Sequence, residues 1–386
     1  MVKIKVSKQI FDDDLYIHSE KLKIKNKSIQ TPIRAFSMNN LRNDTPINNN
    51  VKGVNEFFSK VNKSKLKNYV TGEKSPSNFH KNIRNGLNKT SPDEINFCFI
   101  SLPDYKLPEG KEIDVLTNMA YFYSDAIPLP LIQGLFKEGQ NAEKSFDKFT
   151  NFMKKCIDSI NRLNNKPILG TIPSSIPPSY IEFLVDFYHD FNITSFAFDF
   201  QNKTHIGTQE HLRELMIAII KLDILNESFT YSCNTQRGKS SRRSDVIKAN
   251  DMMVYNYGFD IVGESHMGMK IPPDAAKKIN ERNSTGIRLF NSEDYGHYKY
   301  ENINSIKEFY PKDKTNIPIE YFNPNSNKSR SRECQKLFNS EMFGLELLKY
   351  SSFIKEGTPT IKYLETKSQI KNDLIDFKLF RDNMKI

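Results

Sequence analysis

Short apolar runs, separated by polar and turn-forming stretches, recur along most of the chain. Residues 29–38 (IQTPIRAFSM), 95–102 (INFCFISL), 124–132 (SDAIPLPLI), 166–173 (KPILGTIP), 195–200 (SFAFDF), 229–234 (FTYSCN), 259–264 (FDIVGE) and 286–291 (GIRLFN) make eight such runs. Several are apolar at consecutive positions, the pattern of parallel strands covered on both faces. Between them lie segments of helical spacing. In 142–164, Phe146, Phe149, Phe152, Met153, Cys156, Ile157 and Ile160 fall on one stripe, as expected of a helix facing a core. The segment 178–191 opens with Pro178 in its first turn, where a missing N–H costs least. Helices over 209–225 and 244–257 follow the next two strands, and one over 272–282 precedes the last. Strand and helix alternating in this way predict an α/β protein, a (β/α)8 barrel of the TIM type rather than an open doubly wound sheet.

The barrel is expected to fill residues 1–300. The first 30 residues hold two weak strands, one around Ile4 and Val6 and one at 22–24. The strongly basic stretch 45–94 reads as an insertion of short helices lying outside the barrel. Residues 301–331, polar and marked by Pro311, Pro318 and Pro324, read as a linker or surface loop. From 332 to 386 a C-terminal helical extension is expected, its first helix running from Glu333 to about Lys355.

Composition adds a partner. Across 386 residues, 56 Lys and Arg against 46 Asp and Glu leave a formal charge of +10, which favours a polyanion such as nucleic acid. The four cysteines, Cys98, Cys156, Cys233 and Cys334, are far apart and form no CxxC pair, so reduced thiols in the cytoplasm are expected. The amino terminus lacks a signal-peptide core and no run reaches membrane-spanning length.

Candidate chemistry sits where barrel strands end, because the loops there converge on one mouth. Asp199 and Glu264 stand in or at the ends of apolar strands, where a carboxylate must pair or act on a ligand. The alternative to catalysis is an ion pair with Arg237 or Arg288. His266, beside Glu264, is placed for proton transfer, and Asn291 and Asp294 end the last run. Ser37, Asp104, Thr171, Ser174 and Asn234 share the rim as candidate substrate contacts. Arg237, Lys239, Arg242 and Arg243 in the RGKSSRR loop suit phosphate oxygens. No metal or other cofactor is expected, since no HxxxH-like spacing joins Asp199, His205, Glu264 and His266.

Taken in order, TPIRAFSMNN, KPILGTIPSS, SFAFDF, GIRLFNSEDYGHY and ECQKLFNSEMFGLELLKYSSF resemble successive landmarks of the tRNA-guanine transglycosylase superfamily, whose members insert 7-deazaguanine bases into tRNA, with relatives acting on DNA. The resemblance spans roughly residues 20–375. It implies a (β/α)8 barrel, base exchange on tRNA or DNA, a 7-deazaguanine-type ligand, and a homo- or heterodimer. The family nucleophile is an aspartate in the last of these strand segments, and Asn291 stands at the matching position. The segment carrying the second catalytic aspartate has no counterpart in residues 60–110, and the zinc-binding cysteines are reduced to Cys334. Two functions follow from this pattern. One is a divergent transglycosylase in which Asp199, Glu264 or Asp294 supplies the carboxylate with His266 assisting; the other is a catalytically silent nucleic-acid-binding barrel supporting an active partner. An unrelated barrel enzyme acting on a small phosphorylated substrate is a third.

Overall fold

A strand covered on both faces has no polar side to show, and Ile95–Leu102 and Ile168–Pro173 are buried at every position. The computed structural model describes residues 4–74, 76–103, 106–136, 139, 141–163, 166–238, 245–267 and 286–384. One parallel sheet runs in the order Ile33–Arg34, Ile261–Val262, Thr230–Cys233, Phe196–Asp199, Ile168–Pro173, Ile127–Pro128. A second parallel sheet runs Phe36–Ser37, Val54–Lys60, Ile95–Leu102, Leu131–Ile132. The two are continuous in the chain at both ends. Only Ala35 separates Ile33–Arg34 from Phe36–Ser37, and its N–H still donates to the Val262 carbonyl at 3.0 Å. Leu129 and Pro130 separate the other pair, with the Leu129 N–H on the Leu169 carbonyl at 3.0 Å.

Two apolar clusters sort the side chains. The first lies between strands and helices. It takes Phe149, Phe152, Met153, Cys156, Ile157 and Ile160 from Ala142–Leu163, and Leu184, Val185 and Tyr188 from Ile181–Asp190. The second gathers Val54, Phe97, Leu131, Leu169, Ala197, Tyr231 and Ile261 from strand segments of both parallel sheets, together with Ala35 between two of them. Leu22, Ile24 and Ile29 of an amino-terminal antiparallel sheet (Lys5–Phe11, His18–Ile24, Lys27–Gln30) join this second cluster. The protein is thus a mixed α/β fold of parallel sheets and helices. Among the described residues no helix is long and apolar enough to cross a membrane.

Several expectations are corrected. Residues 286–291 do not join the parallel strands: Ile287–Asn291 pairs antiparallel with Gly296–Tyr300, which also holds Val246–Lys248. Only residues 292–295 lie between the two hairpin strands, far too few for the crossover that a parallel connection requires. The missing parallel strand is Val54–Lys60, inside the stretch expected to be a helical insertion. It pairs with Ile95–Leu102 from Val54↔Ile95 to Lys60↔Ser101, and its Asn55 amide is satisfied by Glu94 at 2.9 Å and Asn96 at 3.0 Å. The rest of the basic stretch does hold short helices, Lys63–Thr71 and Ser77–Leu87. No helix fills 245–257, where Val246–Lys248 and the turn Met253–Asn256 stand instead. The helix expected over 272–282 lies outside the described residues.

Residues 301–331 are not a free linker, because Tyr310, Ile317 and Phe322 are buried in the core. The long helix begins earlier than expected and spans Lys328–Glu356, capped by Asn327 at its start and by Gly357 in left-handed geometry at its end. It completes the hairpin: the Gln335 and Asn339 side chains accept the Arg288 and Phe290 N–H groups at 3.0 and 2.8 Å.

Beneath the strands, at their amino ends, a buried charge cluster ties the amino-terminal sheet to the rest. His18 Nε2 lies 2.7 Å from Asp260, which also accepts Thr31 Oγ1 at 3.2 Å and the Thr230 N–H at 2.8 Å. Burial pushes the His18 imidazole down, but Asp260 and Glu20 outweigh it and raise it from 6.5 to about 9. A raised folded-state value stabilises fully below the unfolded value and is lost as pH climbs through the folded one. Urea unfolding of the parent is therefore expected to show stability falling between pH 6.5 and 9. His18→Ala is expected to lose about 3 kcal/mol at pH 6 and to show a flatter pH dependence. Equal slopes in parent and variant would mean that His18 is uncharged.

Candidate active site

Three polar groups converge on a residue that sequence reading passed over. Glu56, in Val54–Lys60, is fully buried. Its Oε1 accepts Tyr231 Oη at 2.5 Å, and its Oε2 accepts the Glu264 N–H at 2.9 Å and faces His266 Nε2 at 3.1 Å. Burial pushes the Glu56 carboxyl up, but the His266 hydrogen bond and charge, with Tyr231 and the Glu264 amide, bring it below its usual range. An ionised Glu56 fixes the proton of His266 on Nε2 and leaves Nδ1 as the basic nitrogen. Among the described residues Nδ1 has no hydrogen-bond partner, and the ring lies flat on Phe58, with centroids 4.3 Å apart and planes 8° from parallel.

Gly263 permits this approach. A Cβ there would stand 2.3 Å from Glu56 Oε1 and 2.5 Å from the Ser232 carbonyl, so any larger residue would push the carboxylate out.

Asp199 ends its strand in a different state. Oδ1 accepts Asn234 Nδ2 at 2.8 Å and the Gln201 N–H at 3.1 Å, whereas Oδ2 is buried with no hydrogen-bond partner. Burial raises the carboxyl from 3.8 to about 6, against the pull of those two hydrogen bonds. Asn234 joins the two halves of the site, because its Oδ1 accepts the His266 N–H at 3.0 Å. Its own backbone is left-handed, at φ 57°, as are Gln201 at 50° and Asn202 at 65°. Left-handed non-glycine residues carry a conformational cost that tends to collect at functional sites.

The remaining sequence candidates separate. Glu264 is buried but occupied: Oε1 accepts the Ser37 N–H at 3.3 Å and Ser340 Oγ at 2.9 Å, and Oε2 accepts Asn40 Nδ2 at 3.1 Å. It braces the first strand's loop to the long carboxyl-terminal helix. It forms no ion pair with the arginines proposed for it, since Arg237 pairs with Asp251 at 3.2 Å and Arg288 donates to the Asp245 and His297 carbonyls. Ser37 sits at the brace through its N–H. Thr171 and Ser174 spend their hydroxyls on the Pro130 and Phe200 carbonyls, at 3.2 and 2.8 Å.

Asn291 and Asp294 stand on the antiparallel hairpin, not at the ends of the parallel strands. Asn291 Oδ1 accepts the Glu293 N–H at 2.9 Å, while Asp294 accepts the Gly296 N–H at 3.0 Å and the Tyr298 hydroxyl. Both carry out turn-capping work, and no hydrogen bond joins either to Asp199, Glu264 or His266. Asp104, Lys239, Arg242 and Arg243 lie outside the described residues. Arg237, expected to be free for phosphate, is half-exposed and committed to Asp251. Burial pushes that carboxyl up, but His297 and Arg237 hold it down at about 2.

The sequence matches no family model and no curated protein. The site must therefore be read on its own chemistry.

Among the described residues, one group has donor atoms close enough to hold a metal ion, namely His18, Glu20 and Asp260. It lies at the amino ends of the strands, away from Asp199. A protonated His18 offers a positive charge where a metal ligand needs a lone pair, so these residues fit an internal ion cluster. All four cysteines are buried free thiols.

Glu56 could have been found. It interrupts the apolar residues Val54, Phe57 and Phe58, the same signature that singled out Asp199 and Glu264. Phe58, Tyr231, Asn40 and Ser340 carry no local signal of their roles.

The raised Asp199 carboxyl implies a measurable conflict between site and stability. The unfolded chain ionises near 3.8 and the native one near 6, so the penalty grows between those values and is complete above them. Asp199→Asn is expected to be more stable than the parent above pH 7, by up to about 3 kcal/mol, with the gain vanishing near pH 4. Chemical denaturation at both pH values measures this; a gain of equal size at each would mean that Asp199 is not ionised against a burial penalty.

Proposed function

We propose that the two parallel sheets form one closed (β/α)8 barrel and that the protein exchanges a nucleobase at a glycosidic bond of tRNA or DNA. The barrel reading is supported by the unbroken chain through Ala35 and through Leu129–Pro130, and by an apolar cluster shared by strand segments of both parallel sheets. The functional reading rests on one observation: a buried Asp199 with an unpartnered Oδ2, tied through Asn234 to a histidine whose free nitrogen is set by Glu56.

An ionised carboxylate with an open lone pair is the group needed to attack C1′ of a ribose as the C–N bond breaks. The departing base keeps the bonding electrons and takes a proton from solvent, to which His266 later releases the proton it gains in the return step. In the return step the incoming base, of the 7-deazaguanine type, loses its ring N–H proton to His266 Nδ1 and displaces Asp199 from C1′. In this scheme Glu56 and Phe58 position His266, and Glu264 holds the first strand's loop. The carboxylate role passes from the Asn291 position to Asp199, which agrees with the removal of Asn291 from the strand ends. The formal charge of +10 favours a nucleic acid substrate, and a cytoplasmic location fits both the substrate and the unpaired cysteines.

A catalytically silent barrel that binds nucleic acid beside an active partner is favoured by a different observation, the full engagement of Glu264 by Ser37, Asn40 and Ser340.

Incorporation of labelled guanine into bulk tRNA and into DNA separates the two. The parent is expected to exchange on one polymer, Asp199→Ala to lose exchange, and His266→Gln to slow it about a hundredfold, with melting curves showing both variants folded. Absence of exchange by the parent on either polymer would leave the silent barrel; full activity in Asp199→Ala would remove Asp199 from the reaction.

A further inference from the structure

A second surface feature bears on how the polymer is held. The loop after Ile95–Leu102 and the helix after Leu131–Ile132 border a cavity of about 540 Å³, within the usual range for ligand sites. Leu107, Pro108, Leu135 and Phe152 supply its apolar side. Along the other side the helix Ala142–Leu163 presents Lys144, Lys148, Asn151 and Lys155. Their spacing of four, three and four residues places them on one stripe, spanning about 17 Å at 1.5 Å per residue.

These side chains are exposed, and among the described residues none of the three lysines forms an ion pair. Glu109 is the one acid among the described residues that line the cavity. Three like charges that repel one another, with a single acid on the same cavity and no ion pair to it, call for anions from outside. An apolar wall facing that stripe calls for a flat, weakly polar group carried by the same ligand. Phosphates along a strand and the bases they carry combine both properties.

We propose that this groove binds a stretch of single-stranded nucleic acid, with successive phosphates on Lys144, Lys148 and Lys155 and a base against Leu107, Leu135 and Phe152. Residues 107 and 135 follow the carboxyl ends of their strands, so the groove opens at the same end of the sheets as Asp199. A strand seated there extends away from the reacting nucleotide and anchors the polymer. The inference rests on the nucleic-acid reading given above and adds a specific contact surface to it.

The full-length protein is titrated against a fluorescent 12-nucleotide RNA and the matching single-stranded DNA, over a salt series starting near 50 mM. A triple variant, Lys144→Gln, Lys148→Gln and Lys155→Gln, is expected to bind at least tenfold more weakly. Its salt dependence should flatten by about two in log–log slope, since each lost phosphate contact on a single strand removes about 0.7. Leu107→Ser is expected to weaken binding about tenfold with the slope unchanged, because it alters the base seat and no charge. The substituted lysines are exposed, so unchanged melting curves should accompany the loss. If the parent binds and the triple variant matches it in affinity and slope, the groove is overturned and the nucleic-acid reading stands. If Leu107→Ser binds like the parent, or a base-free polyanion displaces the oligonucleotide at equal charge, the base seat is overturned. If the parent binds neither oligonucleotide, both readings fall together.

Discussion

A carboxylate sealed from water must be surrounded by donors, and Glu56 is the one on which this fold turns. Tyr231 comes from one strand, and the Glu264 backbone and His266 from the loop after Ile261–Val262, to converge on its two oxygens. Each would be left facing an uncompensated charge, or none at all, if the strand bearing Glu56 shifted by one residue. The register of Val54–Lys60 is thus fixed from inside by chemistry as well as by its ladder with Ile95–Leu102. The absence of a side chain at Gly263 is the spatial condition for this arrangement, because the oxygen occupies the volume a methyl group would need.

Around that anchor, polar residues divide into those whose valence is exhausted and those with something left over. Glu264, Thr171 and Ser174 are engaged by neighbouring groups and hold loops in place. Asp199 and His266 each keep an atom uncommitted, one a carboxylate oxygen and the other a ring nitrogen. Function is argued from this remainder, since an unfilled hydrogen-bonding atom in a buried setting is costly unless something visits it. The left-handed backbone at Gln201, Asn202 and Asn234 adds a second expense in the same place.

Much of the parallel framework could be read from sequence because covered strands are written as unbroken apolar runs, as in INFCFISL and KPILGTIP. Asp199 and Glu264 were visible for the complementary reason, as charges set against such runs. Val54–Lys60 was hidden by its own function: Asn55 and Glu56 break the apolar pattern, and the lysines around it pull the stretch toward an exposed reading. Residues 286–291 misled in the opposite sense. A five-residue apolar strand looks the same whether its neighbour is parallel or antiparallel, and what decides is the length of chain to the next strand. The bracing of Glu264 by Ser340 was not legible at all, since Ser340 lies far along the sequence and reaches it only through tertiary packing.

The contact between Glu264 and Ser340 carries a consequence for the order in which the molecule is built. Chains emerge from the ribosome amino end first, and the strand bearing Glu264 is complete well before the helix that supplies the hydroxyl. Until that late segment arrives and docks, Glu264 lacks the Ser340 hydroxyl, and the loop after Phe36–Ser37 is joined to no carboxyl-terminal helix through it.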